Sequence, residues 1–282
     1  MKPHIYKQLQ HQVANSEPLQ FALIAIAHKN PHPDACGYKS SVDLAELAFI
    51  QHLTDILNGV EERYSPGARF TILTEGEFYK KNADIFDVSL EEIARYESQV
   101  QYLADCISDG RIQLVSLQKI IEEDQDFSSQ YMQQYAKLHP KEYQIYIDVM
   151  QRSITDNQRL QGMTPEEMAK RYRAVHRAKH EGSNGSGVYR YLEETLGSNY
   201  IYCSVTKSDR EEVLCIDPYT KYTPPYLLPQ HGLGVLNGGT PVVKIMPFTD
   251  VATLVQNYKT GYITSADMGG GPFGFVQFGG KK

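Results

Sequence analysis

The sequence predicts an α/β protein: a Rossmann-like mixed sheet with helices on both faces, followed by a β-rich C-terminal extension. Two observations indicate this class. Apolar runs alternate with amphipathic helical patterns over residues 21–180, and short strand-like runs split by Pro and Gly turns dominate residues 188–282. We interpret the 282 residues as a single domain, with a βα core over 21–180 and a helix followed by mixed or antiparallel strands over 188–282.

The first strand is predicted from Phe21 to Ala27, a continuous apolar run typical of a buried parallel strand. Lys29 follows it, where open α/β sheets place ligands. Lys29 is therefore a catalytic candidate, either as a clamp for a phosphate or carboxylate or as an amine for acid–base chemistry. A solvated loop lysine is the alternative. His28 and His32 flank Lys29, but no third ligand is evident, so we expect no metal there.

A helix of about five turns is predicted from Asp43 to Arg63, because apolar residues recur there every three or four positions. Glu46 lies within that apolar stripe, so its carboxylate is expected to face the core, where a charge needs a partner. Glu46 is for this reason a catalytic candidate, and Asp43 on the same face is a substrate-binding candidate. The alternative is a capping box, in which Asp43 caps the helix and Glu46 reaches back.

A second strand from Arg69 to Leu73 completes a strand–helix–strand unit, which we interpret as a parallel βαβ unit. Glu75 follows this strand at the carboxyl edge, where sites form, and is a catalytic candidate. Further along, Ser89 with Glu92 matches a capping box that opens another helix, and Ile112 to Leu117 is a plausible third strand.

The remaining chain is predicted to be helical from Ile120 to Lys179, with Pro140 and Pro165 as breaks. Short strands are predicted in the last third at Tyr200 to Thr206, Glu212 to Ile216, Gly232 to Leu236, Pro241 to Ile245 and Phe275 to Phe278. His231 precedes one of them and is a candidate for proton transfer near neutral pH. A lone surface histidine is the alternative.

Composition narrows the class of partner. The net charge of −6 comes from interspersed residues without a long basic run, so we expect neither nucleic acid nor a membrane as a partner. A small molecule is the expected partner, and a homo-oligomer stays open. The polar N-terminal segment, the widely spaced cysteines and the absence of an apolar run near ~20 residues predict a cytoplasmic protein.

Cofactor motifs are missing from the sequence. It contains no Gly-x-x-x-x-Gly-Lys-Ser/Thr loop, no Gly-x-Gly-x-x-Gly after the first strand and no Gly-x-Ser-x-Gly elbow. We therefore expect no cofactor: no metal, flavin or nicotinamide.

Several motifs stand in register with those of one known family. Residues 28–53, His-Lys-Asn-Pro-His-Pro and then Asp-Leu-Ala-Glu, resemble a Lys-Ser-Pro-Asn loop followed by Pro-Asp-Leu-Ala-Glu and a Leu-rich helix. Residues 65–72 are similar to a Pro-Pro-Gly-Ala-Arg strand, and residues 74–76 to Ser-Asp-Gly. Over about residues 21–105 the chain thus resembles the isonitrile (isocyanide) synthase family, which includes a fungal enzyme of spore-wall dityrosine formation.

The resemblance implies a reaction: the α-amine of an amino acid becomes an isonitrile, with ribulose 5-phosphate as the carbon donor and no metal or redox cofactor. Such chemistry needs cationic groups and several proton transfers. The residues suited to these tasks are Lys29, Asp43, Glu46, Glu75 and His231. Arg69 is carried over from the motif as a substrate-binding or structural residue.

Beyond residue 105 the chain departs from the family pattern. The family's Ile-Arg-Leu-Ser-Ile-His strand corresponds to residues 201–206, which lack both the Arg and the His, and its Thr-Pro-Trp-His corresponds to residues 228–231, which keep Pro and His. Two alternatives therefore stay open. One is a divergent amino-acid N-modifying enzyme with an N-formyl or other product or another carbon donor, and the other is a non-catalytic small-molecule-binding paralogue.

Overall fold

The computed structural model describes residues 3–27, 42–85, 88–121, 127–153, 162–181, 192, 196–197, 199–204, 213–216, 232–237, 243–264 and 272–281. Within these ranges the helices are α1 (Pro3–Ala14), α2 (Leu44–Glu61), α3 (Gly76–Ala83), α4 (Leu90–Ser108), α5 (Leu117–Ile121), α6 (Phe127–Lys137), α7 (Pro140–Ser153), α8 (Pro165–Glu181) and α9 (Phe248–Asn257). The strands are β1 (Leu19–Ile24), β2 (Ala68–Thr74), β3 (Ile112–Ser116), β4 (Ile201–Ser204), β5 (Val213–Cys215), β6 (Gly232–Asn237), β7 (Val243–Pro247), β8 (Tyr258–Thr264) and β9 (Pro272–Lys281).

The central sheet has the strand order β3-β2-β1-β4-β5, and each neighbouring pair is parallel. From β1 the chain builds outward through β2 and β3, and then on the other side through β4 and β5. The strand order therefore reverses between β1 and β4, and the crevice at such a switch point is where doubly wound sheets bind ligands. The predicted Rossmann-like sheet and its parallel βαβ unit are confirmed.

Apolar side chains cover both faces of this sheet. Successive side chains of a strand point to opposite faces, and in β1 Phe21 and Leu23 pack with α1, α2 and α4, while Ala22 packs with α3, α6, α7 and α8. A strand buried on both faces is continuously apolar, as residues 21–24 of β1 are. The predicted placement of helices on both faces is confirmed.

A second, mixed sheet has the order β7-β6-β9-β8 and packs on the N-terminal end of α2. Glycine permits this close approach: a Cβ atom on Gly234 would lie 2.6 Å from the backbone nitrogen of Ala45, and one on Gly274 would collide with the side chain of Leu44. This sheet forms the predicted β-rich C-terminal extension.

Local signals at the helix ends behaved as the sequence indicated. Capping boxes open α2 at Asp43 and α4 at Ser89. Pro140 and Pro165 each occupy the first helical position of α7 and α8, where the missing N–H costs nothing. In the part of the chain that the structure describes, no helix is both long and apolar enough to cross a bilayer.

Other elements differ from expectation. The sequence placed β4 and β5 in the C-terminal extension, but they continue the central parallel sheet through β1. Strands of four and three residues carry too little periodicity to reveal which sheet they join. β1 begins two residues earlier than predicted and ends at Ile24, because Ile26 leaves the extended conformation with φ 62°. The elements α1, α3, α9 and β8 were not predicted.

Candidate active site at the carboxyl edge of the parallel sheet

The backbone just beyond β1 is strained. Ile26 is fully buried and has φ 62°, which is unusual for a β-branched residue because its side chain then crowds the backbone. The Ile26 carbonyl accepts a hydrogen bond from the backbone N–H of Glu75 at 2.9 Å, so the segments that follow β1 and β2 are joined. Strain that the surrounding structure holds in place is concentrated at functional sites.

A buried ion pair lies beside this strained turn. Glu75 follows β2 directly and is 4% exposed, and Lys179 in the last turn of α8 is 3% exposed. The Lys179 ammonium donates to Oε1 of Glu75 and also, at 3.4 Å, to the hydroxyl of Tyr79. Burying two charges costs more free energy than a matched apolar pair does. The Glu75–Lys179 pair lies at the carboxyl edge of the sheet, and this position makes it the leading candidate for the reactive centre.

Tyrosines surround the pair. The rings of Tyr79 and Tyr172 stack with their centroids 4.8 Å apart and an interplanar angle of 11°. Burial, and next the negative charge of Glu75, raise the pKa of both phenols well above the usual value. Both therefore stay protonated at neutral pH and serve as hydrogen-bonding groups rather than bases. The Lys179 Nζ atom lies 5.4 Å from the centroid of the Tyr79 ring, within cation–π range.

Asp43 joins α2 to the second sheet. One carboxylate oxygen, Oδ1, accepts from the backbone N–H of Ala45 at 2.7 Å, and the other, Oδ2, accepts from the backbone N–H of Gly234 in β6 at 2.9 Å. The side chain is fully buried. These two hydrogen bonds give Asp43 a structural role, in which it caps α2 and attaches β6 to it. A substrate-binding role for Asp43 stays a prediction.

Glu46 is fully buried at the start of α2, as its place in the apolar stripe predicted. Its Oε2 atom accepts from the backbone N–H of Asp43 at 2.8 Å, which completes the capping box. Its Oε1 atom accepts from the hydroxyl of Tyr96 in α4 at 2.7 Å. The capping alternative is thus realised together with a second buried partner, and a catalytic role for Glu46 stays a prediction.

The other sequence candidates are placed as follows. Arg69 is exposed near the amino end of β2, about 20 Å along the strand from Glu75 at the usual rise per residue, so its position does not support a role beside Glu75. Lys29 and His231 lie outside the described residues. The described contacts join Glu46 to Asp43 on the α2 side of the sheet, and Glu75 to Lys179 on the α8 side.

Near the end of β2 lies another carboxyl group, that of Glu97, whose pKa is raised. Glu97 in α4 lies beside the hydroxyl of Thr74, the last residue of β2. Burial raises the pKa of Glu97 to about 7, against the opposing effect of that hydroxyl. At neutral pH this group exchanges a proton readily.

Lys179 and Glu97 were both missed as candidates, although the sequence carries a signal for the first. Met168, Tyr172, Val175 and Lys179 are spaced by four, three and four residues and are all buried. A lysine in such a stripe indicates a buried cation with a partner. Across the ranges that the structure covers, no group of three or more His, Cys, Asp or Glu side chains is arranged to hold a metal ion.

Comparison with known proteins identifies the family. The profile of the pyoverdine/dityrosine biosynthesis protein family matches residues 9–200, which is more than half of the chain. The chain belongs to this family. The match reaches well past the 21–105 stretch that carries the sequence motifs, and it includes Glu46, Glu75 and Lys179.

Curated relatives of this family member include two L-tryptophan isonitrile synthases from Fischerella ambigua. AmbI1 is 26% identical over 154 residues, which are 55% of this chain and 45% of that protein. AmbI2 is 28% identical over 103 residues, 36% of this chain and 30% of that protein. The chain thus spans less than half the length of the curated relatives it matches. The indicated membership of the isonitrile synthase family is confirmed.

A solved structure supports the same fold. The crystal structure of the PvcA protein from Pseudomonas aeruginosa superposes with a TM-score of 0.69 and 16% sequence identity, over 97% of this chain and 92% of that one. At this identity the likeness establishes the shared architecture.

Proposed function

We propose that this family member is an isonitrile-synthase-like enzyme of secondary metabolism, a lyase or transferase. It would convert the α-amine of an amino acid to an isonitrile and take the carbon from ribulose 5-phosphate. The family match and the two relatives named as L-tryptophan isonitrile synthases support this reaction. The observation that favours catalysis over binding alone is the buried Glu75–Lys179 pair at the carboxyl edge of the sheet.

The proposed reaction needs proton transfers at an amine and at a sugar carbonyl. An amino acid carries an ammonium group at neutral pH, and it must lose a proton before its nitrogen can attack a carbonyl carbon. Glu75 is the base that we assign to this task. Lys29, which follows β1 in sequence, and His231, which precedes β6 of the second sheet, would bind the phosphate or carboxylate and carry a further proton. No metal, flavin or nicotinamide is required in this scheme.

The experiment is an assay of the purified full chain with single amino acids and ribulose 5-phosphate. Mass spectrometry would follow the isonitrile, and a phosphate assay would follow the released phosphate. We expect both products. Glu75→Gln should lower the rate by about a hundredfold or more, because a general base contributes at least that much. Glu91→Gln, an exposed position in α4, is the matched control and should keep the wild-type rate.

Folding of the test variant needs its own check, because Glu75→Gln leaves Lys179 buried without its counter-charge. The double variant Glu75→Gln with Lys179→Met removes both charges and should melt as the wild type does while remaining inactive. If an N-formyl amino acid were the sole product, the enzyme would catalyse a different N-modification, and isonitrile formation would be ruled out. Binding of an amino acid without turnover under any condition would refute the enzyme and indicate a non-catalytic paralogue.

A further inference from the structure

We propose that Lys179 is a covalent catalyst: its amine forms an imine with the carbonyl carbon of a ketose phosphate, and Glu75 carries the proton. The identity of the carbonyl compound rests on the proposed function. The chemistry itself rests on the geometry of the pair and would apply to any accessible ketone or aldehyde.

Charge balance argues against a passive cation at this position. Lys179 donates to Oε1 of Glu75, and both side chains are almost completely buried. A cation already matched by a carboxylate attracts a second anion weakly, so a phosphate clamp is a poor use of this lysine. A purely structural brace is also a costly choice, because apolar residues of similar volume often replace a buried pair without loss of stability.

The surroundings suit an amine that reacts with a carbonyl compound. A carboxylate in direct contact with the ammonium can accept its proton and so create the neutral nucleophile. The Tyr79 hydroxyl lies 3.4 Å from the Lys179 nitrogen and stays a phenol because burial and the Glu75 charge raise its pKa. A phenol at that distance can hydrogen-bond the oxygen of the attacked carbonyl group. Exclusion of water from the pair protects an imine from hydrolysis.

The step balances in atoms and charge. The Lys179 ammonium gives one proton to Glu75, and the nitrogen lone pair forms a bond to the carbonyl carbon while the carbonyl π pair moves to oxygen. A proton passes from nitrogen to this oxygen, giving a neutral carbinolamine. Glu75 then returns its proton to the hydroxyl, the C–O bond breaks, water leaves, and the nitrogen lone pair completes a protonated imine. Glu75 is again a carboxylate, and no oxidant or reductant is consumed.

This imine provides a route to the proposed reaction. A protonated imine is more electrophilic than the parent ketone, so the amine of an amino acid would displace the lysine and form its own imine with the sugar. Lys179 would then return to its pairing with Glu75.

The test is reductive trapping of the full-length protein. Protein, ribulose 5-phosphate and sodium cyanoborohydride are incubated, and intact mass and peptide mapping are recorded. We expect one saturable adduct at Lys179 with the mass of the sugar phosphate less one oxygen atom. Lys179→Arg keeps a positive charge beside Glu75 but cannot form the imine, so it should lose the adduct and at least about a hundredfold in turnover. Lys137→Arg, an exposed control in α6, should lose neither.

The outcomes separate this inference from the proposed function. Isonitrile formation by Lys179→Arg at the wild-type rate, or adducts spread only over exposed lysines, would overturn the covalent role while the reaction stands. A Lys179 adduct without isonitrile from any amino acid would overturn the reaction while the covalent role stands. If Lys179→Arg melts early, the neutral double variant Glu75→Gln with Lys179→Met supplies the same trapping readout in a folded protein.

Discussion

Glu97 in α4 makes the stability of this protein depend on pH in a way that one substitution can isolate. Its carboxyl group lies beside Thr74, near Glu77 of α3 and Lys119 of α5. Burial raises the pKa from the ordinary value of 4.5 to about 7; Glu77 adds to the rise, while the Thr74 hydroxyl and Lys119 oppose it. The fold therefore favours the neutral acid, and Glu97→Gln replaces that acid with a neutral group of the same size.

The size of the stability effect follows from the shift in the pKa of Glu97. Each pKa unit corresponds to about 1.4 kcal/mol, so the difference between 4.5 and about 7 amounts to about 3 kcal/mol at most. Because the pKa of Glu97 is higher in the folded state than in the unfolded state, the stabilisation that its protonated carboxyl group contributes is complete below the unfolded-state pKa. It is lost as the pH rises through about 7. Glu97→Gln should thus be nearly neutral at pH ~4, below the unfolded-state pKa, and should stabilise the protein by up to about 3 kcal/mol at pH ~8.

The assay is urea unfolding of the wild type and the variant at both pH values, followed by circular dichroism. Glu91→Gln in the same helix is exposed, and its effect should be small and nearly the same at both values. An effect of Glu97→Gln that is equal at the two pH values would show that Glu97 ionises normally in the fold, and the argument from burial would be wrong.

Two further predictions concern the N-terminal end of α2. Gly234→Ala places a Cβ atom against Leu44 and should cost about 1–3 kcal/mol, seen as a lower melting temperature. Gly59→Ala within α2, where the nearest atom would be 3.9 Å away, should instead stabilise slightly, and equal melting of the two variants would contradict the close packing. Tyr96→Phe removes the donor to Oε1 of Glu46 and should cost about 1.5–3 kcal/mol in urea unfolding; an unchanged midpoint would show that this hydrogen bond is dispensable.

Features encoded by neighbouring residues were determined by the sequence alone. The spacing of Asp43 and Glu46 predicts both the capping box and the burial of the Glu46 side chain. A separation of three residues is the one that a capping box requires, and residues three or four apart lie on the same face of a helix, here the apolar one. The apolar run of β1 likewise predicts a strand covered on both faces. The family motifs at residues 28–76 are local for the same reason.

Only the tertiary structure decided which distant groups meet. Lys179 and Glu75 are 104 residues apart, and Asp43 and Gly234 are 191 residues apart. The stripe in α8 indicates that Lys179 is buried, but its partner depends on how α8 packs against α3, which Glu75 precedes. The same holds for β4, whose four residues fit either sheet until they pair with β1. Local spacing determines a face or a cap, whereas the packing of elements far apart in the chain determines the partners of a buried charge.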